Sequence, residues 1–301
     1  MANKQFLRGV IPVKVVPMHS NGSPDVEGIH RLVDFLVDHG VGGLWVLGSA
    51  SEDINMSLKE RLIVARETVI AARGRIPLIV GSGLTAMGDI LDYAERLADL
   101  DVYGLHLLPY DLKMGDARLV HLIHTLADRI PFPLWLYHNP KRGRLITDLI
   151  IREVKEHPNV GGIKVGGYNL AELTGAMMHR SPGFDVIGAG GGQFFQMLAL
   201  GAEAHTTSEA SVYPERFMNL YRTYKAGRLD DARRMQFDLI RLSRQFPRTE
   251  NGEYCAEEKY MLSLRGICGE GVNPLYRTLR DDEKLRLREV LVKAGFDWAR
   301  S

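Results

Sequence analysis

Cysteine is scarce in this chain of 301 residues: Cys255 and Cys268 are too few for a disulfide framework. Long apolar runs are missing too. None approaches the roughly 20 residues that cross a bilayer, so no membrane segment is expected. Neither sign of charge is in excess. A formal net charge of +1 gives no electrostatic case for nucleic acid or an anionic lipid surface. Residues 1–6 hold no apolar core before a cleavage site, so no signal peptide is expected and cytoplasmic residence is the default. No low-complexity linker interrupts the chain, and no Gly-x-Ser-x-Gly elbow occurs. The run Gly188-Ala189-Gly190-Gly191-Gly192 lacks the spacing of a dinucleotide loop and follows a late strand. His121 and His124 lie three apart on a helix remote from any strand end, with no acidic third ligand. Neither a metal nor a nucleotide cofactor is expected.

What is present is alternation. Short apolar runs at 10–16, 43–47, 78–81, 104–108, 134–137, 161–165, 186–188 and 203–207 read as strands. Amphipathic stretches separate them. Ile29, Leu32, Val33, Leu36 and Val37 share one helical face, as do Leu62, Ala65, Val69 and Ala72. Eight such units predict a closed parallel (β/α)₈ barrel over residues 1–213. An open doubly wound sheet is the alternative, and the lack of a fingerprint glycine loop after the first strand argues against it. Beyond, 214–226, 230–246, 254–266 and 282–294 read as helices, a C-terminal extension over 214–301 packed on the barrel.

The residue with the most unusual address is Lys164, alone in the glycine-flanked apolar run 160–167. Taken by itself it reads as a strand-end lysine whose stem packs on apolar neighbours while its head reaches water. In a water-poor pocket the same lysine loses its proton and becomes an amine nucleophile toward carbonyl compounds. Two other groups fall where barrel strands meet their following loops. The turn Gly48-Ser49-Ala50-Ser51-Glu52 has small residues that let backbone N–H groups approach a carboxylate, or else Ser49 or Ser51 merely caps a helix. Tyr137 ends the fifth strand and either relays protons or sits in the core with its hydroxyl bonded. Arg142, five residues on, either grips an anionic group on a second substrate or is solvated.

In this order and spacing, the Gly-Ser-x-x-Glu turn, the Tyr-x-x-Pro after the fifth strand and the Gly-Ile-Lys of the sixth resemble one family. It is the dihydrodipicolinate synthase/N-acetylneuraminate lyase family of Schiff-base class I aldolases. The resemblance spans nearly the whole chain. It implies a (β/α)₈ barrel with C-terminal helices, a homotetramer built as a dimer of dimers, and a 2-oxo acid such as pyruvate bound as an imine. It implies Lys164 as the Schiff-base lysine, Tyr137 as the proton relay and Ser49 as the hydroxyl that continues it. With the backbone of Ala50, Ser49 would hold the 2-oxo acid carboxylate. Arg142 falls where synthase members hold the second substrate's carboxylate, and Gly188 where backbone passes close to the bound 2-oxo acid.

Three departures bear on the substrate more than on the bond chemistry. Ala50 and Ser51 replace the usual second hydroxyl and glycine of the turn. Asp111 stands where synthases and sialate lyases place a tyrosine contributed across the dimer. His138 replaces the usual asparagine. Specificity is expected from side chains after the fourth, seventh and eighth strands, including Asp111, Gln193 and Ser208. The leading expectation is a lyase or aldolase that takes a 2-oxo acid through an imine on Lys164, with hydroxylated sugar acids as the substrate class. The alternatives are a dihydrodipicolinate synthase condensing pyruvate with aspartate semialdehyde, a sugar-acid dehydratase and, in another class, a non-catalytic 2-oxo acid sensor. The joint presence of Lys164 and Tyr137 favours an enzyme.

Overall fold

The computed structural model describes residues 7–166, 170–247 and 255–300. Residues 1–6, and the first residue of the helix expected at 254–266, lie outside them.

Eight parallel strands form one sheet: β1 (Gly9–Pro12), β2 (Leu44–Val46), β3 (Leu78–Gly81), β4 (Gly104–Leu107), β5 (Leu134–His138), β6 (Val160–Gly166), β7 (Asp185–Ala189) and β8 (Ala204–Thr207). From β2 to β8 each strand pairs with its sequence neighbour, and β1 pairs with β8. The barrel closes between β1 and β2. There a single parallel bridge, Val13 to Trp45, is flanked by bonds from the Gly42 N–H to the Val10 carbonyl (2.8 Å) and from the Lys14 N–H to the Trp45 carbonyl (2.9 Å). The first strand is shorter than its apolar run. The ladder stops at Pro12, while residues 13–16 stay buried beyond it.

Seven helices alternate with the strands: α1 (Val26–Asp38), α2 (Leu58–Ala72), α3 (Met87–Glu95), α4 (Asp116–Arg129), α5 (Asp148–Val154), α6 (Leu170–Met177) and α7 (Phe194–Ala199). Their starts carry local signals. Asp25 accepts the Gly28 N–H at the head of α1, and Ser57 with Glu60 closes a reciprocal capping box on α2. The expected face of α1 is buried at Ile29, Leu32, Val33 and Leu36. On α2 the buried stripe runs through Val64, Ala65, Thr68 and Val69, leaving Leu62 half-buried.

Helix α8 (Pro214–Lys225) was grouped from sequence with the C-terminal extension, yet it packs on β1 and α7 in the position of the barrel's eighth helix. Beyond it lie α9 (Leu229–Ser243), α10 (Ala256–Leu264) and α11 (Asp281–Lys293). Among the described residues no helix is long and apolar enough to cross a membrane.

The barrel interior is filled by aromatic rings. Trp45 of β2 stacks on His106 of β4 (4.5 Å between ring centres) and meets Trp135 and Tyr137 of β5 edge-on at 6.4 and 5.8 Å. Strands that are not sheet neighbours touch only across the lumen, so these rings form the floor beneath the strand ends. Their bulk explains the glycines that face them. A Cβ at Gly161 would stand 2.7 Å from the Trp135 indole nitrogen, and one at Gly104 would stand 2.7 Å from the same indole.

Lys14 is fully buried between the barrel and the C-terminal helices, and its ammonium finds no hydrogen bond among the described residues. Burial pulls its pKa from 10.5 to about 7, with Lys259 adding to the fall and Cys268 opposing it. The sign is that of a base depressed in the folded state. Below about pH 7 both states hold the proton and the full burial cost stands; the cost fades toward pH 10 as the unfolded chain also loses its proton. Lys14→Met should therefore raise Tm by several degrees at about pH 6 and by much less near pH 10. Thermal melts at the two pH values check this, and an equal gain at both contradicts it.

Candidate active site

Lys164 lies in β6, in register with Tyr137 of β5 on one side and Ile187 of β7 on the other. Strand alternation decides its direction. Ile163 and Val165 face the helices α5 and α6, where they line a cleft, and Lys164 points into the lumen. Only 1% of the residue is exposed. Its Nζ sits 4.2 Å from the centre of the Tyr137 ring and 4.6 Å from that of Trp45. Burial drives its pKa well below the ordinary lysine value. Asp53 resists this fall and Arg142 adds to it. The amine thus rests between two aromatic faces, with no carboxylate in salt-bridge contact among the described residues.

Tyr137 is the centre of a three-point polar contact. Its hydroxyl is 3.1 Å from Ser49 Oγ, and Asn139 Nδ2 donates to it at 3.1 Å and to Ser49 Oγ at 3.4 Å. With the amide donating to both oxygens, one hydroxyl donates to the other and the last proton stays available. Burial raises the Tyr137 pKa, while the Ser49 and Asn139 bonds hold it down. Asn139 is the second of the two open positions in the Tyr-x-x-Pro motif, which assigns it no role. Its part depends on a contact across 90 residues, which no local pattern shows.

Ser49 and Ala50 open the 3₁₀ turn Ser49–Ser51, whose first N–H groups have no partner within the turn. The turn is strained and braced. Leu47 and Glu52, on either side, both adopt the left-handed conformation, at φ 57° and 55°. Ser51 Oγ donates to the Lys14 carbonyl at 2.6 Å. The remaining supports come from the C-terminal helices. Cys255 Sγ donates to the Ala50 carbonyl at 2.6 Å, Lys259 of α10 pairs with Glu52, and the Asn273 N–H donates to Glu52 Oε2 at 2.6 Å.

Arg142 sits on the turn after β5 but is not free. Its Nη1 donates to Asp53 Oδ1 at 3.1 Å, with 14% and 3% of the two side chains exposed. Tyr110 Oη donates to Asp53 Oδ2 at 3.2 Å, and the Arg142 guanidinium lies 5.8 Å from the Tyr110 ring centre. Arg61 holds the Asp53 backbone carbonyl. Asp53 was missed in the sequence because an acid opening a short helical turn is the ordinary dipole-matched choice. Burial raises its pKa, against the pull of Arg142 and Arg61.

Two other candidates take no part in the contacts above. Asp111 is exposed, and its Oδ1 accepts the N–H of Lys113, closing its own turn. Within one chain it does not join the lysine. Gly188 has a packing reason to be glycine: a Cβ would stand 2.7 Å from His205 Nδ1 and collide with Met197 of α7, on the helix side of β7. Of the residues placed near the specificity end, Ser208 donates to Glu258 at 3.2 Å. Among the described residues, no three His, Cys, Asp or Glu side chains gather as a metal site.

A parallel barrel whose buried lysine meets a bonded tyrosine at the carboxyl ends of its strands has the layout of a barrel lyase. The profile of the dihydrodipicolinate synthetase family matches residues 6–294, and the chain belongs to that family. It is 28% identical over 291 residues to a 4-hydroxy-tetrahydrodipicolinate synthase of Methanosphaerula palustris, covering 95% of this chain and 99% of that one. The structure of dihydrodipicolinate synthase from Bacteroides thetaiotaomicron matches with a TM-score of 0.90 at 27% identity, over 95% of this chain and 98% of that one. The sialic acid aldolase of Ruminococcus gnavus shares the fold, with a TM-score of 0.89 at 21% identity over 96% and 97% of the two chains. The protein is accordingly an enzyme of the lyase class.

The Glu52–Lys259 pair is fully buried on both sides, so breaking it leaves a stranded carboxylate. Lys259→Met should cost about 3–5 kcal/mol of stability, and Glu52→Gln in the same chain should return part of it. Urea unfolding of the single and double variants measures both. A loss below about 1 kcal/mol, the size of an exposed pair, would contradict the bracing role.

Proposed function

We propose that the protein is a Schiff-base lyase or aldolase that takes a 2-oxo acid, pyruvate or a hydroxylated precursor of it, through an imine on Lys164. The observation that carries this reading is the buried amine of Lys164, its proton affinity lowered by burial, against the ring of Tyr137, whose hydroxyl is bonded to Ser49. An ordinary lysine gives up about 5 kcal/mol to be neutral at pH 7. Here burial lowers the proton affinity of the amine and so reduces that cost.

The steps follow from the geometry. The N–H groups of Ser49 and Ala50 hold the substrate carboxylate at the opening of the turn. The Lys164 amine attacks the adjacent ketone. Tyr137, with Ser49 behind it, gives a proton to the departing hydroxyl, so that water leaves and an iminium forms. The new cation lies against the faces of Tyr137 and Trp45, which favour positive charge without a counter-ion. The iminium draws electrons from C3. Breaking or forming the C3–C4 bond then passes through an enamine, and water returns by the same relay to free the product.

A second reading, dihydrodipicolinate synthase, draws on the named function of the Methanosphaerula palustris relative and on the presence of Arg142. The pairing of Arg142 with Asp53 weighs against it. We also propose a cytoplasmic homotetramer. The two buried free cysteines suit a reducing compartment, and the tetramer follows the family resemblance.

Incubation with pyruvate and borohydride should add one reduced adduct, mapped by mass spectrometry to the peptide carrying Lys164. An unmodified Lys164, with pyruvate and with larger 2-oxo acids alike, would sink the imine mechanism. Tyr137→Phe keeps the ring face and loses the hydroxyl. It should slow imine formation by about 100-fold or more, followed by the rate of borohydride trapping; near-normal kinetics would remove Tyr137 from the relay.

A further inference from the structure

We propose that Asp53, held between Arg142 and Tyr110, makes a hydroxyl-reading subsite beside the amine, so that the fragment joined to or split from the 2-oxo acid is a neutral hydroxylated carbonyl compound and not a second carboxylate. This rests on the 2-oxo acid reading above and narrows its other substrate.

Charge is the first argument. Arg142 is the cation at this end of the barrel that a second carboxylate would seek. Its charge is matched by Asp53 at 3.1 Å, in a pair nearly closed to water. An arriving carboxylate meets the Asp53 anion together with the guanidinium. Gripping Arg142 alone would leave Asp53 buried without its counter-ion.

Valence is the second. Each Asp53 oxygen already accepts one bond, Oδ1 from Arg142 and Oδ2 from Tyr110, and each keeps a further lone pair. Arg142 spends Nη1 on Asp53 and carries further N–H groups. A strong acceptor beside a strong donor is what a hydroxyl requires, since it both donates and accepts. Hydroxyls on adjacent carbons would use the pair together.

Rigidity is the third. The Asp53 carbonyl is tied to Arg61, and Asp53 follows Glu52, which Lys259 and Asn273 hold. The carboxylate therefore has little room to swing aside for an anion. The pair is held near the reacting atoms by the chain itself: Asp53 opens the turn that follows Ser49–Ser51, and Arg142 lies on the loop that leaves β5 just after Tyr137.

The test compares two acceptors for pyruvate, neutral glyceraldehyde and anionic succinic semialdehyde, by the ratio of their kcat/KM values. The wild-type enzyme should favour glyceraldehyde by at least about tenfold. Asp53→Asn and Asp53→Ser should each move the ratio at least about tenfold toward succinic semialdehyde. A ratio taken within one variant is insensitive to how much of that variant folds. A wild-type preference for the anionic aldehyde, or a ratio unmoved in both variants, overturns the subsite. Should neither aldehyde turn over, the same ratio is read from the concentrations at which each slows borohydride trapping of the pyruvate imine, and equal potencies overturn the proposal. Intact trapping at Lys164 with an unmoved ratio removes the subsite alone; no trapping at all removes the 2-oxo acid reading and the subsite with it.

Discussion

Everything in the site depends on keeping water away from one amine. Lys164 is sealed in the lumen with aromatic faces on two sides, and desolvation outweighs the pull of Asp53 on its proton. The same surroundings act in opposite senses on the two forms of the nitrogen. A primary ammonium loses three strong hydrogen bonds to water when buried here, so it sheds its proton. A protonated imine is a more diffuse cation with fewer N–H groups. It loses less to desolvation and is met by the negative faces of Trp45 and Tyr137. The pocket therefore disfavours the resting charge and tolerates the reacting one. The wide indole of Trp135 in the floor beneath requires small neighbours, which accounts for some of the glycine in the lysine strand: Gly161 and Gly162 lie against it.

The C-terminal helices take part in this arrangement from outside the barrel. The Ser49–Ser51 turn is strained on both sides, and strain persists only where surrounding structure fixes it. Cys255, Lys259 and Asn273 supply that fixation through the Ala50 carbonyl and the Glu52 carboxylate. Gln236 of α9 does the same for the loop after β7, donating to the Gly191 carbonyl at 2.8 Å and accepting the Phe195 N–H at 2.8 Å. A short βα loop has too few residues to build its own support. Helices α9 and α10 supply it, so the extension is part of how the active end of the barrel is held in shape.

How much of this was legible in the sequence depended on the range of the interaction. Strands were legible because burial on both faces makes them nearly continuous apolar runs. Lys164 stood out against such a run, and Ser49 and Tyr137 could be aligned to strand ends. The limits were equally physical. Pro12 ended the β1 ladder while the apolar run continued, because burial and hydrogen bonding are separate constraints. Helix α8 had the pattern of any amphipathic helix, and only its packing on β1 and α7 assigns it to the barrel. Asn139 and Asp53 have meaning only through partners some 90 residues away. Glycine is ambiguous by nature: the sequence places the Gly188 backbone near a ligand, and the structure adds a packing reason, since a Cβ there would meet Met197 and His205. Asp111 was placed by alignment with a residue that acts across a dimer, and its own chain uses it to close a turn.

Charge ties the amine and the Asp53–Arg142 pair into one argument. Burial lowers the proton affinity of Lys164, and Asp53 answers the charge of Arg142, while the buried Arg61 is bound to the Asp53 and Ser82 carbonyls behind the pair. A 2-oxo acid brings one negative charge on its carboxylate. Imine formation creates one positive charge on the lysine nitrogen, a few bonds away, and the carboxylate is balanced once Tyr137, which gave its proton to the departing water, is reprotonated through Ser49. In a water-poor cavity each uncompensated charge is expensive, so a sequence of states that stays near neutrality is favoured over one that does not. A neutral second fragment preserves that balance through bond making and breaking. A second carboxylate would leave one negative charge over, because the guanidinium that would have absorbed it is already committed to Asp53. On the proposed imine mechanism, the acid at position 53 thus couples the choice of the second fragment to the same desolvation that lowers the proton affinity of Lys164.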